Sequence, residues 1–401
     1  MRNTASLAAA ILVPMLCAGC SEARRANIEH WDGTVDTLAS GTVVVRNGTR
    51  GAWSEGEQWK VLEEVRIGVA EVDGPDNFGD IASFAIDNFD RILILDTQAS
   101  ELRIFDPNGK YVRTIGGKGA GPGEFDNPAH VDIAADGRIW VMDPRNQRAS
   151  VFDTAGKHVW SRQVPGALFM LPWPGGFDRR GYYYAPIAKV ESGFRIALGK
   201  FDHDFAPVDT LGIPVDPVDR PQFTIVRNGN VVADEPVPFQ GRLSWRLSDE
   251  GTIWAMVTDQ YRLFELNAEG DTSRIITIQA RKVAVAEEER VKALEDLEEF
   301  VQQGGRIELS RIPQDKPGVR SFFNDVEGHI WVEKVSAPGA HGVDFDVFNG
   351  IGQYLGEVSV PFALQMYPRP VIRNGMLYGV VRDALDVQYM VRARLVKGVR
   401  N

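Results

Sequence analysis

Cysteine is nearly absent. The 401 residues contain two, Cys17 and Cys20, both within the first twenty positions. The remaining 381 positions carry none, so they fold without disulfides, and a chain this long has core enough to do so. Histidine is scarce too: the chain has six, His30, His130, His158, His203, His329 and His341. Zinc centres generally need three protein ligands with an open position. Only His130 lies in a clear motif, Asn127-Pro128-Ala129-His130-Val131, so a three-histidine zinc site is not expected. The apolar stretch Leu7 to Leu16 is too short to cross a bilayer. Excess positive charge is missing as well: the formal net charge is −11, which opposes nucleic acid and anionic membrane surfaces as partners. Like charges cluster only at Glu287-Glu288-Glu289. There is no Gly-x-Ser-x-Gly elbow, no Walker loop and no His-Glu-x-x-His. Gly116 to Gly121 is glycine-rich around Lys118, but it precedes a strand and so lacks the helix N-terminus of a phosphate cradle.

The chain opens with a segment that reads as an address. Arg2 followed by Leu7 to Leu16 fits a signal peptide over residues 1–19. Leu16-Cys17-Ala18-Gly19-Cys20 resembles a bacterial lipoprotein processing site with Cys20 as the lipidated residue. It departs from that pattern at Cys17, where Leu is usual; the other reading is a secreted protein cut elsewhere. Residues 20–58 then read as a tether and N-terminal segment. Thr42 to Arg46 is β-rich and stopped by the turn dipeptide Asn47-Gly48, with no assigned place.

The central signal is a repeat. Phe84 to Val164 reads as two copies of one unit offset by 47 residues: Arg91 falls on Arg138, Asp96 on Asp143, Phe105 on Phe152 and Gly109 on Gly156. Several short strands at such a period are the mark of a β-propeller blade. The pattern returns at Asp249-Glu250-Gly251-Thr252-Ile253-Trp254 and at Val326-Glu327-Gly328-His329-Ile330-Trp331. Weaker units lie at 176–213 and 371–396. The expected fold is all-β: a six-bladed β-propeller over 59–397. The last unit lacks an outer strand, and Lys60 to Gly68 is an outer strand without a unit, so the N-terminal strand should close the ring. Ala284 to Gln303 has near-helical spacing of Val291, Leu294, Leu297 and Val301. It reads as one inserted amphipathic helix, either a lid over one face or a helix packed on the rim.

Asp143-Pro144-Arg145-Asn146-Gln147-Arg148 running into Val151-Phe152-Asp153 resembles the NHL repeat, as does Gly121-Pro122-Gly123-Glu124-Phe125 before Pro128. The whole chain resembles exported bacterial six-bladed propellers with NHL-like blades, of the TolB-like class. The resemblance implies the ring but no activity, since a fold does not fix a function. Some such rings are enzymes that hold zinc by histidines, or calcium by carboxylates and Asn, in the channel.

The candidate site comes from blade geometry. Loops entering the inner strands and loops joining second to third strands share one face. That face should carry Lys118, His130, Arg145 and Asn146, the best candidates for binding a ligand or partner. Asp96 and Asp143 repeat at one blade position; they are either a carboxylate ring able to hold calcium or turn caps bonding backbone N–H groups. Trp173 with Tyr182 to Tyr184 is either a sugar-stacking platform or core. The functional expectation is a non-catalytic binding or scaffold propeller of the cell envelope, periplasmic or at the outer membrane. It would be held there only by lipid on Cys20, as a monomer with an unidentified protein or small-molecule ligand. No cofactor is called for, with calcium the one ion in question. The alternative is a metal-dependent hydrolase or lyase working in the central channel.

Overall fold

The computed structural model describes residues 30–70, 74–164, 167–170, 173–189, 195–336 and 340–398. The leader and Cys20 lie outside that set. The strands build six blades around a channel, five as four-stranded sheets and one extended to six strands. From the channel outward, blade one is Ile81–Ile86, Ile92–Asp96, Glu101–Phe105 and Tyr111–Gly116. Blade two is His130–Ile133, Ile139–Asp143, Arg148–Phe152 and His158–Gln163. The inner strands of the remaining blades are Gly176–Phe177, Leu243–Leu247, Val319–Asn324 and Val371–Arg373.

Burial along each blade explains its composition. Ile92–Asp96 is buried at every residue because both of its faces meet neighbouring blades, so it reads Ile-Leu-Ile-Leu rather than alternating. Tyr111–Gly116 at the rim buries only Ile115, and its other side chains face solvent. Leu93, Leu102, Phe125, Val131 and Phe152 form the core between blades one and two. Ile81 pairs with Asp96 at one end of blade one, while Ile86 pairs with Ile92 at the other. The inter-blade loops therefore share one face, and the short turns 87–91 and 106–110 share the opposite one.

The N-terminal strand closes the ring. Lys60–Ile67 pairs antiparallel with Gln388–Val396, from Lys60 against Val396 to Ile67 against Met390. Ile67 then enters the core between blades six and one, beside Phe105, Val380 and Met390. Glu64 reinforces the seam, accepting from Arg394 Nε at 2.6 Å and Arg392 Nη2 at 3.1 Å.

Residues assigned to the tether from sequence are part of the ring. Val43–Arg46 lies parallel on the rim strand Thr272–Thr277 of blade four, and Thr34–Thr37 adds to it as a hairpin partner. Val45 is fully buried among Trp254, Ile276 and Phe348. The chain then crosses blade five, where Ala52 and Trp53 N–H donate to Tyr354 and Leu355 carbonyls at 3.0 and 2.9 Å. Gly51 is required there, since a Cβ would sit 2.3 Å from the Leu355 carbonyl oxygen. The result is a strap over blades four, five and six.

The inserted helix also differs from expectation. It is two short helices, α1 (Glu287–Glu295) and α2 (Glu298–Gln302), separated at Asp296 and Leu297. They pack on a hairpin, Gln222–Arg227 with Asn230–Pro236, which is inserted between blades three and four. Phe223, Ile225, Val237, Leu297, Phe300 and Ile312 form this lobe's own core. Asn228 and Gly229 at the hairpin turn both have positive φ, 53° and 81°, as a type I′ turn requires. Among the described residues, none of the helices or the hairpin lines the channel.

Closure makes a direct prediction. Ile67→Ala should cost roughly 2–5 kcal/mol in urea unfolding, as for other buried Ile truncations. Leu62→Ala on the same strand, 54% exposed, should stay within about 0.5 kcal/mol. Equal effects would mean that the strand does not contribute its inner face to the core.

Candidate functional site

The six inner strands and their connections enclose a channel of about 840 Å³. Seven residues before the inner-turn glycines Gly137, Gly251 and Gly328 stand His130, Ser244 and Ser321, and the repeat puts Ser83 at the same station. All four line the channel. His130 Nδ1 meets Ser83 Oγ at 3.1 Å, its ring stacks on Trp173 at 5.7 Å, and Nε2 lies 3.7 Å from Asp132. Asp132 in turn accepts from the Phe177 N–H at 2.8 Å. Gly176 makes this approach possible, because a Cβ there would be 3.0 Å from Asp132 Oδ2.

The opposite wall is cationic. Arg242, Arg246, Arg320 and Arg369 line it together with Glu333 and Asp249. Arg246 donates to Ser321 Oγ at 3.1 Å and to the Trp245 carbonyl at 2.7 Å. Arg242 donates to the Arg320 carbonyl at 3.2 Å, and Arg320 Nη1 is 3.6 Å from Glu333. Arg369 reaches from the segment before blade six to the Leu247 carbonyl of blade four at 3.1 Å, 4.0 Å from Asp249. Burial, then Arg369 and Arg242, push the Arg246 guanidinium down to about 10, so it stays charged at neutral pH. Burial holds the Glu333 carboxyl above its usual range, while Arg320, Arg242 and Arg246 draw it back.

The candidates from the sequence divide between two places. His130 lies in the channel wall. Lys118 is exposed on the inter-blade loop, and Arg145 is exposed on the same face with Nε 2.9 Å from Asp126. Asn146 has its amide committed, donating to Asp143 Oδ2 at 2.7 Å and to the Gly119 carbonyl at 3.1 Å. Asp143 accepts from the N–H groups of Asp126, Asn127 and Asn146. Asp96 does the same for Gly79, Asp80 and Ala99. Arg148 holds the glycine-proline loop by the carbonyls of Ala120, Gly121 and Glu124. Tyr183 and Tyr184 are core, whereas Trp173 faces the channel. His329 bonds Asp325 and His158 bonds Ser161, both away from His130. Among the described residues no group of three or more His, Cys, Asp or Glu converges as metal ligands.

Sequence reading missed the arginine wall. A signal for part of it was present: Arg242 precedes and Arg246 lies within the inner strand of blade four, and Arg320 is the second residue of that of blade five, where the inner strands of blades one and two carry no Lys or Arg.

Comparison with known proteins agrees on the ring. A model of a six-bladed β-propeller family matches residues 75–165, the two blades that carry the clear repeat. No functionally curated protein matches the chain. Among solved structures, a predicted exported protein from Bacteroides fragilis is similar at 10% identity and TM-score 0.50, over 88% of this chain and 100% of that one. A virginiamycin B lyase from Staphylococcus aureus aligns at 8% identity and TM-score 0.39, over 84% and 100%. A gluconolactonase from Xanthomonas campestris aligns at 12% and 0.39, over 84% and 89%. The chain is a six-bladed β-propeller, and the likeness to the Bacteroides fragilis protein speaks for the fold alone.

Two predictions separate the networks. Asp143→Ala should cost roughly 1–3 kcal/mol by stranding buried N–H groups, and Lys118→Ala should stay within about 0.5 kcal/mol; chemical unfolding reads both. For Glu333 the folded pKa lies above the unfolded value, so its charge destabilises the fold as pH rises through that window. Below the unfolded pKa the carboxyl is neutral in both states and has no such effect. Glu333→Gln should therefore raise the melting temperature near neutral pH and not in acid. A loss of stability at neutral pH would mean that the arginine pairs outweigh burial.

Proposed function

We propose that this chain is a non-catalytic binding propeller of the bacterial cell envelope that holds a small molecule in its central channel. The supporting observation is where its unpartnered polar atoms lie. Buried polar atoms in folded proteins are nearly always hydrogen-bonded. Among the described residues eight buried side-chain atoms lack a hydrogen-bond partner, and four of them, on His130, Trp173, Glu333 and Tyr367, belong to residues that line the channel. The face of the inter-blade loops offers less: Asp143, Asn146 and Arg148 are engaged in holding those loops. Lys118 and Arg145 remain there as candidates for a protein contact. The alternative, a metal-dependent hydrolase or lyase, has no three-donor cluster among the described residues to rest on.

The address belongs to the same proposal. Residues 1–19 direct export, Cys20 carries the lipid, and the propeller works as a monomer in the periplasm or at the outer membrane. Trp31 Nε1 already donates to Asn47 and Thr34–Thr37 is a strand, so the tether ends before residue 31.

The test is thermal unfolding of the purified protein with a small-molecule extract of the native envelope. A ligand at a hundredfold excess over its Kd should add about 2.7 kcal/mol of stability. His130→Ala, which alters the channel wall, should remove that gain. If the extract does nothing while Lys118→Ala with Arg145→Ala weakens capture of a protein partner, the loop face carries the function and the channel reading is wrong.

A further inference from the structure

We infer that the channel is built for an organic acid: a small molecule whose carboxylate is gripped by Arg242 and Arg246 and whose hydroxyl groups meet Glu333. This rests on the channel-binding reading above and names its ligand class.

Charge pairing on the cationic wall is incomplete. Of its four arginines, Arg320 is near Glu333 and Arg369 is near Asp249. Arg242 and Arg246 hydrogen-bond only neutral acceptors among the described residues: the Arg320 carbonyl for one, the Trp245 carbonyl and Ser321 Oγ for the other. A guanidinium has five N–H donors in a fixed fork suited to a carboxylate. Each of these two therefore keeps several donors free, in a chain whose net charge is −11 and which has no shortage of carboxylates.

Such an arrangement costs stability unless something offsets it. Partly desolvating a cation is destabilising when its counter-charge is shared, and Glu333 serves Arg320, Arg242 and Arg246 together. The lowered pKa of Arg246 reports that penalty, with burial its largest cause. A bound carboxylate between Arg242 and Arg246 would remove it.

Glu333 sets the rest of the ligand. It is 5% exposed, and its Oε2 has no hydrogen-bond partner. The atom calls for a donor, which a carboxylate alone lacks and a hydroxyl on the same molecule supplies. Its negative charge also opposes a doubly charged group beside it, so a carboxylate suits the site better than a phosphate. Trp245 also lines the channel, with part of its ring packed on the core of Tyr184, Leu198 and Leu247.

The experiment is calorimetric titration of the full chain at low salt with glucuronate, glucose and inorganic phosphate. Saturable binding of glucuronate is expected, weakening as salt rises, with phosphate weaker by at least tenfold and glucose undetected. Arg246→Gln and Arg242→Gln should each lower glucuronate affinity at least tenfold, and Lys118→Ala should leave it unchanged. Should Arg246→Gln fail to fold, Arg242→Gln, exposed at the lumen, decides alone. Glucose binding as tightly as glucuronate would overturn the anion assignment and leave the channel reading standing. Phosphate matching glucuronate would overturn the carboxylate assignment. If none of the three binds, the inference fails outright, and the envelope-extract experiment still decides the channel reading separately.

Discussion

The ladder between Lys60–Ile67 and Gln388–Val396 is the constraint on which the other blades depend. Without it blade six has three strands, its outer edge is open, and Ile67 no longer fills the seam with blade one. Exposed sheet edges invite pairing with other chains, and a propeller avoids that only when its ring is complete. The channel is a product of the same closure. Arg242, Arg320 and Arg369 come from three different blades, and Arg369 spans from the start of blade six to the inner strand of blade four. Their distances are set by the ring, not by any local turn.

Much of the fold was legible for a physical reason. Blades one and two each use an Asp to gather loop N–H groups and a glycine to turn between outer strands, so the same residues recur at the same spacing. The closing strand was readable because Val65-Arg66-Ile67-Gly68 copies the outer strand ending Arg113-Thr114-Ile115-Gly116. Val43–Arg46 was not placed, because its parallel partner lies far along the chain and no local turn announces such a pairing. The hairpin at Asn228-Gly229 did carry its turn signal and went unread. The helix was seen but not its break at Asp296 and Leu297, since the hydrophobic spacing runs straight through it.

The candidate site was legible only in part, and electrostatics explains why. His130 stood out because it sits in a repeated motif. The arginines did not, because residues 242, 320 and 369 share no spacing. The long loops looked like binding loops by length and polarity. In the fold their polarity turns inward: Arg148 ties three carbonyls, and Asp143 ties three N–H groups. Polar loop residues can serve the loop itself, and sequence alone does not distinguish that use from recognition.

The strap over blades four to six also fixes an order in time. A chain delivered N-terminus first presents Val43–Arg46 and Lys60–Ile67 before any of the strands that will receive them. Val45 must wait in the open for blades four and five, and Val61 and Ile67 for blade six, although all three are buried at the end. Non-local pairings of this kind are slow to form, and partly built rings expose apolar surface. The last event in folding is then a zippering of the oldest segment onto the newest, and until it happens no channel exists to be filled.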